Sequence, residues 1–439
     1  MGDVLAFSIL AVTVGLSLGR PRLGWLKIDH ASAAVTGALL ALLLGVVSLD
    51  TVYETVQLLS FPIITIVSLM IITLTAERAG MLDLLAHAIA RVVRGNGRHL
   101  FTYLFFCGTI AGTIFTNDAA VLLFTPLVFD LIEDVQEDDW QDTNKVPYYF
   151  AILYVANLVA TFVISNPINI IVASLFDIGF VEYALWMFLP AVVSVVVSYV
   201  GLRIVFRNTI PQRYNTQRAA PTTNYDRRFL VICNTVLGLT LLGFFSESFT
   251  GIPTWLVACT GAITLLIVQQ WKGDGIVPVV KGVGWDVIVF VIGMFIIAMG
   301  LRNVGLTHYI GTLISNISGG DFSSMTFATG FISAICSSVI NNHPMAGIMA
   351  WVVRDAAMPA LETKMLVFAA LIGGDLGPKM LPIGSLAALM WFRILRNKGV
   401  HISYTQYIVI GVPVTLIAIL LALLTVHAEF VVYQWIVGA

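Results

Sequence analysis

Two short polar stretches interrupt long apolar segments, and their side chains could bind a small polar solute or carry a proton. The first contains Asn117 and Asp118, and the second contains Asn341, Asn342 and His343. An ionisable side chain at bilayer depth is costly unless it faces protein or water, so such residues usually belong to a transport pathway or a proton relay. Asn and Asp also cap ordinary helices, but a cap in a soluble domain does not need apolar sequence on both sides. We therefore predict a substrate or ion site at these stretches.

The composition is that of a membrane protein. Hydrophobic residues make up 58% of the 439 residues and charged residues 11%, and the mean hydropathy is +0.93. These values predict a polytopic integral membrane protein and disfavour a soluble enzyme or a nucleic-acid-binding protein. The four cysteines have no metal-ligand spacing, and no nucleophile and base pair is evident, so we expect no cofactor, resident metal or enzymatic activity. Residues 4–18 lack a basic leader and a clear cleavage site, which favours a first transmembrane helix.

Two further polar interruptions fall inside segments that are long enough to span a bilayer. The sequence S-N-P-I-N, residues 165–169, interrupts residues 148–176. The sequence G-G-D-L-G-P-K-M-L-P-I-G-S, residues 373–385, interrupts residues 366–392. Proline removes a backbone donor, while Ser and Asn can satisfy the freed backbone groups or face a ligand. Each segment is therefore predicted to be a broken helix.

The segments that contain the first two polar stretches have lengths that fit neither one transmembrane helix nor two. Residues 100–132 and 322–353 are too long for one helix, and the apolar arms beside each polar stretch are only about 15 residues long, short for two separate spans. Irregular backbone at membrane depth is tolerated where it is buried in protein or lines a cavity. We therefore predict two re-entrant helical hairpins with polar tips.

These features divide the chain into two similar halves. Residues 1–206 form the first half, residues 207–228 an arginine-rich cytoplasmic linker, and residues 229–439 the second half. Each half contains five predicted spans, an odd number, so the second half would enter the membrane from the opposite side. The predicted fold is an all-α polytopic membrane protein with two inverted repeats of five transmembrane helices, each with a re-entrant hairpin and a broken helix. Amphipathic residues 81–93 and 303–317 are expected to lie along the membrane surface.

The distribution of basic residues predicts the orientation. With this span count and an external N-terminus, nineteen of the 23 Lys and Arg residues fall on the cytoplasmic side. Arg302, Arg354 and Lys364 fall outside, and Lys379 falls within the membrane. We therefore expect a multi-pass protein of the cell inner membrane with both termini on the extracytoplasmic side.

Five motifs together resemble the arsenite efflux permease family, the membrane component of arsenical pumps, within the ion transporter superfamily. They are F-T-N-D-A-A-V-L-L-F-T-P-L-V (115–128), S-N-P-I-N-I-I-V (165–172), G-L-R-N-V-G-L-T (300–307), S-S-V-I-N-N-H-P (337–344) and D-L-G-P-K-M-L-P-I-G-S-L-A-A-L-M-W (375–391). The resemblance implies export of trivalent arsenite and antimonite as neutral hydroxides, driven by inward proton flow. It also implies optional partnership with a soluble arsenite-stimulated ATPase. The oligomeric state stays open, with a homodimer as one arrangement.

The resemblance also implies a set of functional residues. The motifs place the substrate-binding groups at Asn117, Ser165, Asn166, Asn169, Asn341, Asn342 and Ser385. They place the proton-coupling groups at Asp118, Asp375 and Lys379, and His343 is a further candidate. His343 departs from the family pattern, which has an apolar residue, often Met, at this position. It is either an added proton site or a neutral side chain that fills the same space.

The chemistry of the substrate is consistent with these residue types. A neutral trihydroxide offers hydroxyl donors and acceptors, so we expect amide and hydroxyl ligands, with no thiolate because no Cys lies within either break. We expect substrate and proton to compete through Asp118, with Lys379 as a nearby cation that lowers the pKa of its carboxyl. Asp375 and Lys379 are four residues apart and would pair on a continuous helix, either in coupling or as a structural salt bridge. Gly377 and Pro378 weaken that expectation.

Three other functions use the same features. A sodium/proton antiporter would bind its cation at Asp118 and the carbonyl groups of the breaks. A passive conduit would depend on an ATPase partner for its driving force. A carrier of di- or tricarboxylates is less favoured, because Lys379 is the only Lys or Arg expected within the membrane.

Overall fold

A computed structural model describes most of the chain. The described residues are 2–19, 22–23, 26–93, 95–133, 142–212 and 226–438. Parts of the predicted linker (213–225) and of the acidic connection after the first hairpin (134–141) therefore lie outside the described residues. The described chain is almost entirely α-helical, which confirms the all-helical fold class. Its strands are β1 (Arg22–Leu23) and β2 (Leu26–Lys27), which pair antiparallel between the first two helices.

The helices follow the predicted order. The first half forms α1 (Gly2–Gly19), α2 (His30–Leu43), α3 (Leu49–Arg78), α4 (Met81–Val93), α5 (Gly97–Ile114), α6 (Asn117–Glu133), α7 (Asp142–Leu153), α8 (Pro167–Leu175) and α9 (Phe180–Val205). The second half forms α10 (Arg227–Thr250), α11 (Thr254–Trp271), α12 (Val277–Gly282), α13 (Trp285–Asn303), α14 (Leu306–Ser318), α15 (Phe322–Ile340), α16 (Asn342–Asp355), α17 (Ala360–Leu376), α18 (Leu386–Asn397) and α19 (Tyr404–Val437). Among the described residues, seven helices are long and apolar enough to cross a membrane, namely α3, α9, α10, α11, α13, α15 and α19. The protein is therefore a multi-pass membrane protein.

Polar residues at the ends of the apolar segments cap these long helices. The side chains of Ser48, Asp226, Asp321 and Ser403 accept hydrogen bonds from backbone N–H groups in the first turns of α3, α10, α15 and α19. Such bonds satisfy donors that have no partner within the helix. Bonds of this kind also lower the pKa of Asp226, which lies outside the membrane-spanning segments.

The predicted lengths of the hairpin arms need correction. The arms of the two hairpins contain 18, 17, 19 and 14 residues, so they are mostly longer than expected. Because α15 alone is long enough to span, arm length does not establish a re-entrant hairpin, and that feature stays a prediction.

The two predicted amphipathic segments both form helices of 13 residues. Gly80 precedes α4 with φ +88°, and Gly305 precedes α14 with φ +87°. A residue with a side chain rarely adopts this left-handed conformation, which explains why α14 begins only at Leu306. The same turn thus precedes the corresponding helix in each half.

The contacts between helices are reciprocal. Helix α2 packs on α13 and α11 packs on α3, while α1 contacts α13 and α10 contacts α3. Similarly, α6 packs on α18, α16 packs on α8, and α9 packs on α19. Each of these contacts thus has a counterpart between the corresponding helices of the other half.

One buried cluster near the breaks joins both halves. Ile171 and Tyr183 from the first half belong to one buried cluster with Phe295, Phe368 and Ile372 from the second half. The ring of Tyr183 meets that of Phe368 edge-on, with 5.9 Å between their centroids. Side chains from the two halves therefore form a common core.

Candidate functional site

The first break separates α7 from α8 and is longer than the sequence predicts. After α7 the chain forms a 3-10 turn at Tyr154–Asn157, continues without a helix, and forms a second 3-10 turn at Val163–Ser165. The N-cap of α8 is Asn166, whose Oδ1 accepts from Ile168 N at 3.2 Å, and proline occupies the first helical position. We call residues 154–166 the first break. Asn169, predicted to lie in the break, is instead inside α8.

The second break separates α17 from α18 in a similar way. Two 3-10 turns, Gly377–Lys379 and Pro382–Gly384, follow α17, and Ser385 caps α18 by accepting from Ala388 N at 3.1 Å. We call residues 377–385 the second break. Asp375 was also predicted to lie in a break, but it belongs to the last turn of α17.

Asp375 is where the two halves meet. It is 2% exposed, and its Oδ1 accepts a hydrogen bond from Asn166 Nδ2 at 2.8 Å. Its Oδ2 accepts from Asn169 Nδ2 at 3.0 Å and from Ala160 N at 3.2 Å. The backbone donor is available because residue 160 lies in the first break, outside any helical ladder. A carboxylate of the second half is therefore held by three donors of the first half.

Lys379 does not pair with Asp375, so the hypothesis of an ion pair between them is wrong. Its Nζ has no hydrogen-bond partner among the described residues, although the residue is only 2% exposed. The ammonium lies 5.0 Å from the centroid of the Tyr154 ring, within the range of a cation–π interaction. The helix ends between the two residues, which removes the geometry on which the four-residue spacing depended.

Ser165 and Ser385 bind other parts of the protein. Ser165 Oγ donates to the backbone oxygen of Thr113 at 3.0 Å, which fixes the first break to α5 near the tip of the first hairpin. Ser385 Oγ accepts from Asn157 Nδ2 at 2.9 Å, which joins the two breaks a second time. Asn157 was missed in the sequence, although a lone amide in the apolar run Y-V-A-N-L-V is the same kind of signal as the others.

The tip of the second hairpin, between α15 and α16, has an unusual backbone. Asn341 adopts φ +94° and ψ 151°, a region costly for any residue but glycine. Its Oδ1 accepts from His343 N at 3.1 Å and lies 3.0 Å from His343 Nδ1. Since an amide oxygen only accepts, Nδ1 carries a proton, and in the neutral ring Nε2 then presents a lone pair. Asn341 thus orients the ring of His343, which meets Phe290 edge-on at a centroid distance of 5.5 Å.

The first hairpin, α5 and α6, is described mainly through its backbone. Asn117 begins α6 and Asp118 follows it, and the side chains of both predicted residues lie outside the described part of the structure. Helix α6 packs on α18 and on the 3-10 turn of the first break. The first hairpin therefore approaches the same region as Asp375, from the side of α18.

A small cavity lies beside Asp375. Its polar lining comes from Asn169, Asn342 and Asp375, on α8, α16 and α17, and most of the remaining lining is apolar. The volume is about 10 Å³, which is room for about one water molecule. We call it the central cavity. It is too small in this conformation for a trihydroxide, so binding a substrate of that size requires the surrounding helices to separate.

Four of the predicted residues carry a buried polar atom that has no hydrogen-bond partner in the described part of the protein. These atoms are Asn169 Oδ1, Asn341 Nδ2, His343 Nε2 and Lys379 Nζ. Buried polar groups are almost always satisfied, and each exception calls for an explanation. The set contains both donors and acceptors, and among these four residues it is Asn169 that lines the central cavity.

The groups around Asp375 bear on which ligands it can bind. The described residues contain no group of three or more His, Cys, Asp or Glu side chains placed to hold a metal ion. The contacts of Asp375 described above are N–H donors, whereas a sodium or calcium ion needs oxygen ligands. This arrangement suits a carboxylate that acts as an acceptor.

Comparison with known proteins gives a consistent result. The sequence model of the family described as "Arsenical pump membrane protein" matches residues 5–431. A protein of Escherichia coli with that name is 31% identical over 437 residues, covering 97% of this chain and 99% of its own length. A protein of Yersinia enterocolitica with the same name is 32% identical over 422 residues, covering 94% of this chain and 96% of its own. Among solved structures, the YdaH transporter of Alcanivorax borkumensis matches with a TM-score of 0.57 at 12% identity, covering 99% and 98% of the two chains, which is a likeness of fold alone.

Proposed function

The chain belongs to the arsenical pump membrane protein family, and from this premise we propose that it exports trivalent arsenite and antimonite, as neutral hydroxides, in exchange for protons. The observation that carries the proposal is that three donors of the first half bind Asp375 of the second half, beside a cavity that Asn342 of the second hairpin also lines. It is a secondary transporter that works by alternating access, with no enzymatic step.

The substrate is bound by hydrogen bonds. Arsenic and antimony trihydroxides carry three O–H groups, each of which can donate and accept. Asn169 and Asn342 line the central cavity, and Asn341 lies beside Asn342 at the hairpin tip. None of the four cysteines lines this cavity, so the substrate keeps its hydroxyl groups and is released without breaking arsenic–sulfur bonds.

Asp375 couples the substrate to the proton. An ionised carboxylate has about four acceptor positions, and three of those on Asp375 are taken by donors from the first half, one on Oδ1 and two on Oδ2. The remaining position on Oδ1 can accept a hydroxyl of the substrate or can bind a proton. A proton that arrives from outside therefore displaces the hydroxide, and loss of the proton to the cytoplasm restores the binding site.

Lys379, Asp118 and His343 support this exchange. The ammonium of Lys379, which lacks a hydrogen-bond acceptor, favours the ionised form of a carboxylate brought towards it when the helices move. Asp118, at the start of α6, is a second candidate for proton binding on the first hairpin. His343, whose ring meets Phe290 of α13, is a further candidate at the tip of the second hairpin, and its Nε2 has no hydrogen-bond partner among the described residues.

The proposed architecture consists of two inverted repeats, residues 1–206 and 229–439, with both termini outside the inner membrane. The reciprocal helix contacts support the repeats. Two of the three basic residues assigned to the outer side have close acidic partners. Arg302 Nη2 lies 2.7 Å from Asp355 Oδ1, and Lys364 Nζ lies 2.6 Å from Glu182 Oε1.

The test is transport by the purified chain alone in liposomes. With a proton gradient imposed, we expect arsenite to move against the proton flow at a rate that does not depend on sodium. Sodium-coupled proton movement without arsenite flux would support a sodium/proton antiporter instead. Arsenite movement that follows its own gradient, and ignores the proton gradient, would support a conduit that needs the soluble ATPase. That partner and a homodimer stay predictions.

A further inference from the structure

A second cavity lies beside the outer part of the second hairpin. Its volume is about 390 Å³, and it is formed by α14, the start of α15, the last turn of α16 and α17. We call it the outer vestibule. Its hydroxyl groups come from four residues, Thr307, Thr312, Ser315 and Thr329. It also contains His308 and Asp355, and the carboxylate of Asp355 is neutralised by Arg302.

The outer vestibule and the central cavity follow one another along a single helix face. Asn342, Ala346, Ala350 and Val353 of α16 line the central cavity at helical spacing. Val353 also lines the outer vestibule. From Asn342 to Asp355 this face measures about 20 Å at the rise of an α-helix. A solute that moves along it passes from the substrate site to the outer surface.

The side chain of Val353 occupies the point where the two cavities meet. It is 2% exposed, and α17 contributes consecutive residues on its two sides, Leu366 to the vestibule and Val367 to the central cavity. The vestibule is far larger than the central cavity, so the constriction lies at this point on the path.

We propose that the outer vestibule is the exit site for the neutral hydroxide and that Val353 is the barrier between it and the central cavity. This inference rests on the proposed function for the identity of the solute. The lining suits an uncharged molecule rich in hydroxyl groups, because its threonine and serine hydroxyls can exchange hydrogen bonds with such a molecule. A permanently charged cation would find no free carboxylate in this lining, because Asp355 is already paired with Arg302.

The test measures access to the central cavity with a thiol reagent. Ala346 is replaced by cysteine in a chain whose four cysteines, Cys107, Cys233, Cys259 and Cys336, are replaced by alanine. A membrane-impermeant maleimide is added to right-side-out vesicles, and the rate of labelling is measured. Truncation of the barrier by Val353→Ala should raise this rate about tenfold or more.

Val352→Ala is the matched control, because Val352 is an adjacent buried valine that lines the vestibule but not the central cavity. It should leave the labelling rate within about twofold of the parent, since it removes the same atoms from a position that does not separate the two cavities. Equal rates in the two variants, no labelling in either, or acceleration only in inside-out vesicles would overturn the proposal.

Arsenite efflux is measured in the same vesicles, so that the barrier assignment and the proposed transport function are tested separately. Faster maleimide labelling of the Val353→Ala variant, together with arsenite efflux by the parent, supports both proposals. Acceleration without any arsenite efflux would contradict the proposed function while the barrier assignment holds. Arsenite efflux without acceleration would contradict the barrier and leave the proposed function in place.

Discussion

The two breaks have similar backbones and opposite side-chain chemistry. Each contains two 3-10 turns and ends at a polar residue that caps the following helix, Asn166 in the first and Ser385 in the second. The first break supplies neutral amide donors, whereas the charged groups, Asp375 and Lys379, lie in and beside the second. The duplicated architecture thus provides two matching supports, and the functional difference between them comes from a few side chains.

This difference has a consequence for folding. A carboxylate buried without partners costs several kcal/mol, so Asp375 needs the donors that only the other half provides. Neither half contains a complete site. In two repeats that diverge in this way, one repeat carries the buried charge and the other carries the groups that bind it.

The largest expected effect comes from removing the charge of Asp375, which lies beside the second break. Asp375→Asn keeps the shape of the side chain but removes the group that changes charge, so proton-driven arsenite efflux should fall about 100-fold or more. Efflux from vesicles under a fixed proton gradient measures this, with protein amount and thermal stability checked alongside. Asp286→Asn, at an exposed carboxylate in the first turn of α13, is the control and should retain efflux. Full gradient-driven efflux by Asp375→Asn would move the coupling role to Asp118.

The next prediction concerns how closely the helices approach one another in each half. A Cβ atom on Gly373 of α17 would collide with the backbone oxygen of Gly330 on α15. On Gly108 of α5 it would meet only side-chain atoms of Val155 and Ile152, at 3.1 and 3.3 Å. Gly373→Ala should therefore destabilise the protein by about 3 kcal/mol, and Gly108→Ala by less than about 1 kcal/mol. Thermal unfolding in detergent measures both, and equal losses would contradict the difference in packing.

A smaller effect distinguishes the two caps. Asn166→Ala removes a cap and a hydrogen bond to a charged acceptor, and should cost about 3 kcal/mol. Ser385→Ala removes a cap and a hydrogen bond to the neutral Asn157, and should cost about 1.5 kcal/mol. The same unfolding measurement applies to both variants. A larger loss for Ser385→Ala would show that the charge of Asp375 does not dominate this interface.

The smallest effect tests the backbone at the tip of the second hairpin. Asn341→Ala and Asn341→Gly both remove the side chain, but only glycine adopts φ +94° without cost. Asn341→Gly should therefore be more stable than Asn341→Ala by about 1 kcal/mol. If the two variants unfold at the same temperature, the conformation at residue 341 imposes no strain.

Much of this arrangement was predictable from the sequence. Polar residues inside apolar segments located both hairpin tips and both broken helices, because a polar group at that depth needs a structural reason. The amphipathic pattern of residues 81–93 matches the bounds of α4. The predicted all-helical class and the family resemblance are confirmed.

The contacts of Asp375 were not predictable from local spacing. The four-residue spacing to Lys379 suggested a pair, but the partners of Asp375 lie more than 200 residues away in the sequence. A spacing rule holds within one helix, and here the helix ends between the two residues. Ala160 contributes a backbone donor, which no residue type in the sequence could reveal.

The central claim is that a proton and the hydroxide compete for the last acceptor position of Asp375. The most direct test measures arsenite binding to the purified chain by calorimetry as the pH is lowered, beside the Asp375→Asn variant. Competition by one proton predicts that the wild-type affinity falls, by up to about tenfold per pH unit once the carboxyl is protonated, while the affinity of the variant stays constant. A wild-type affinity that stays constant or increases as the pH falls would contradict the account.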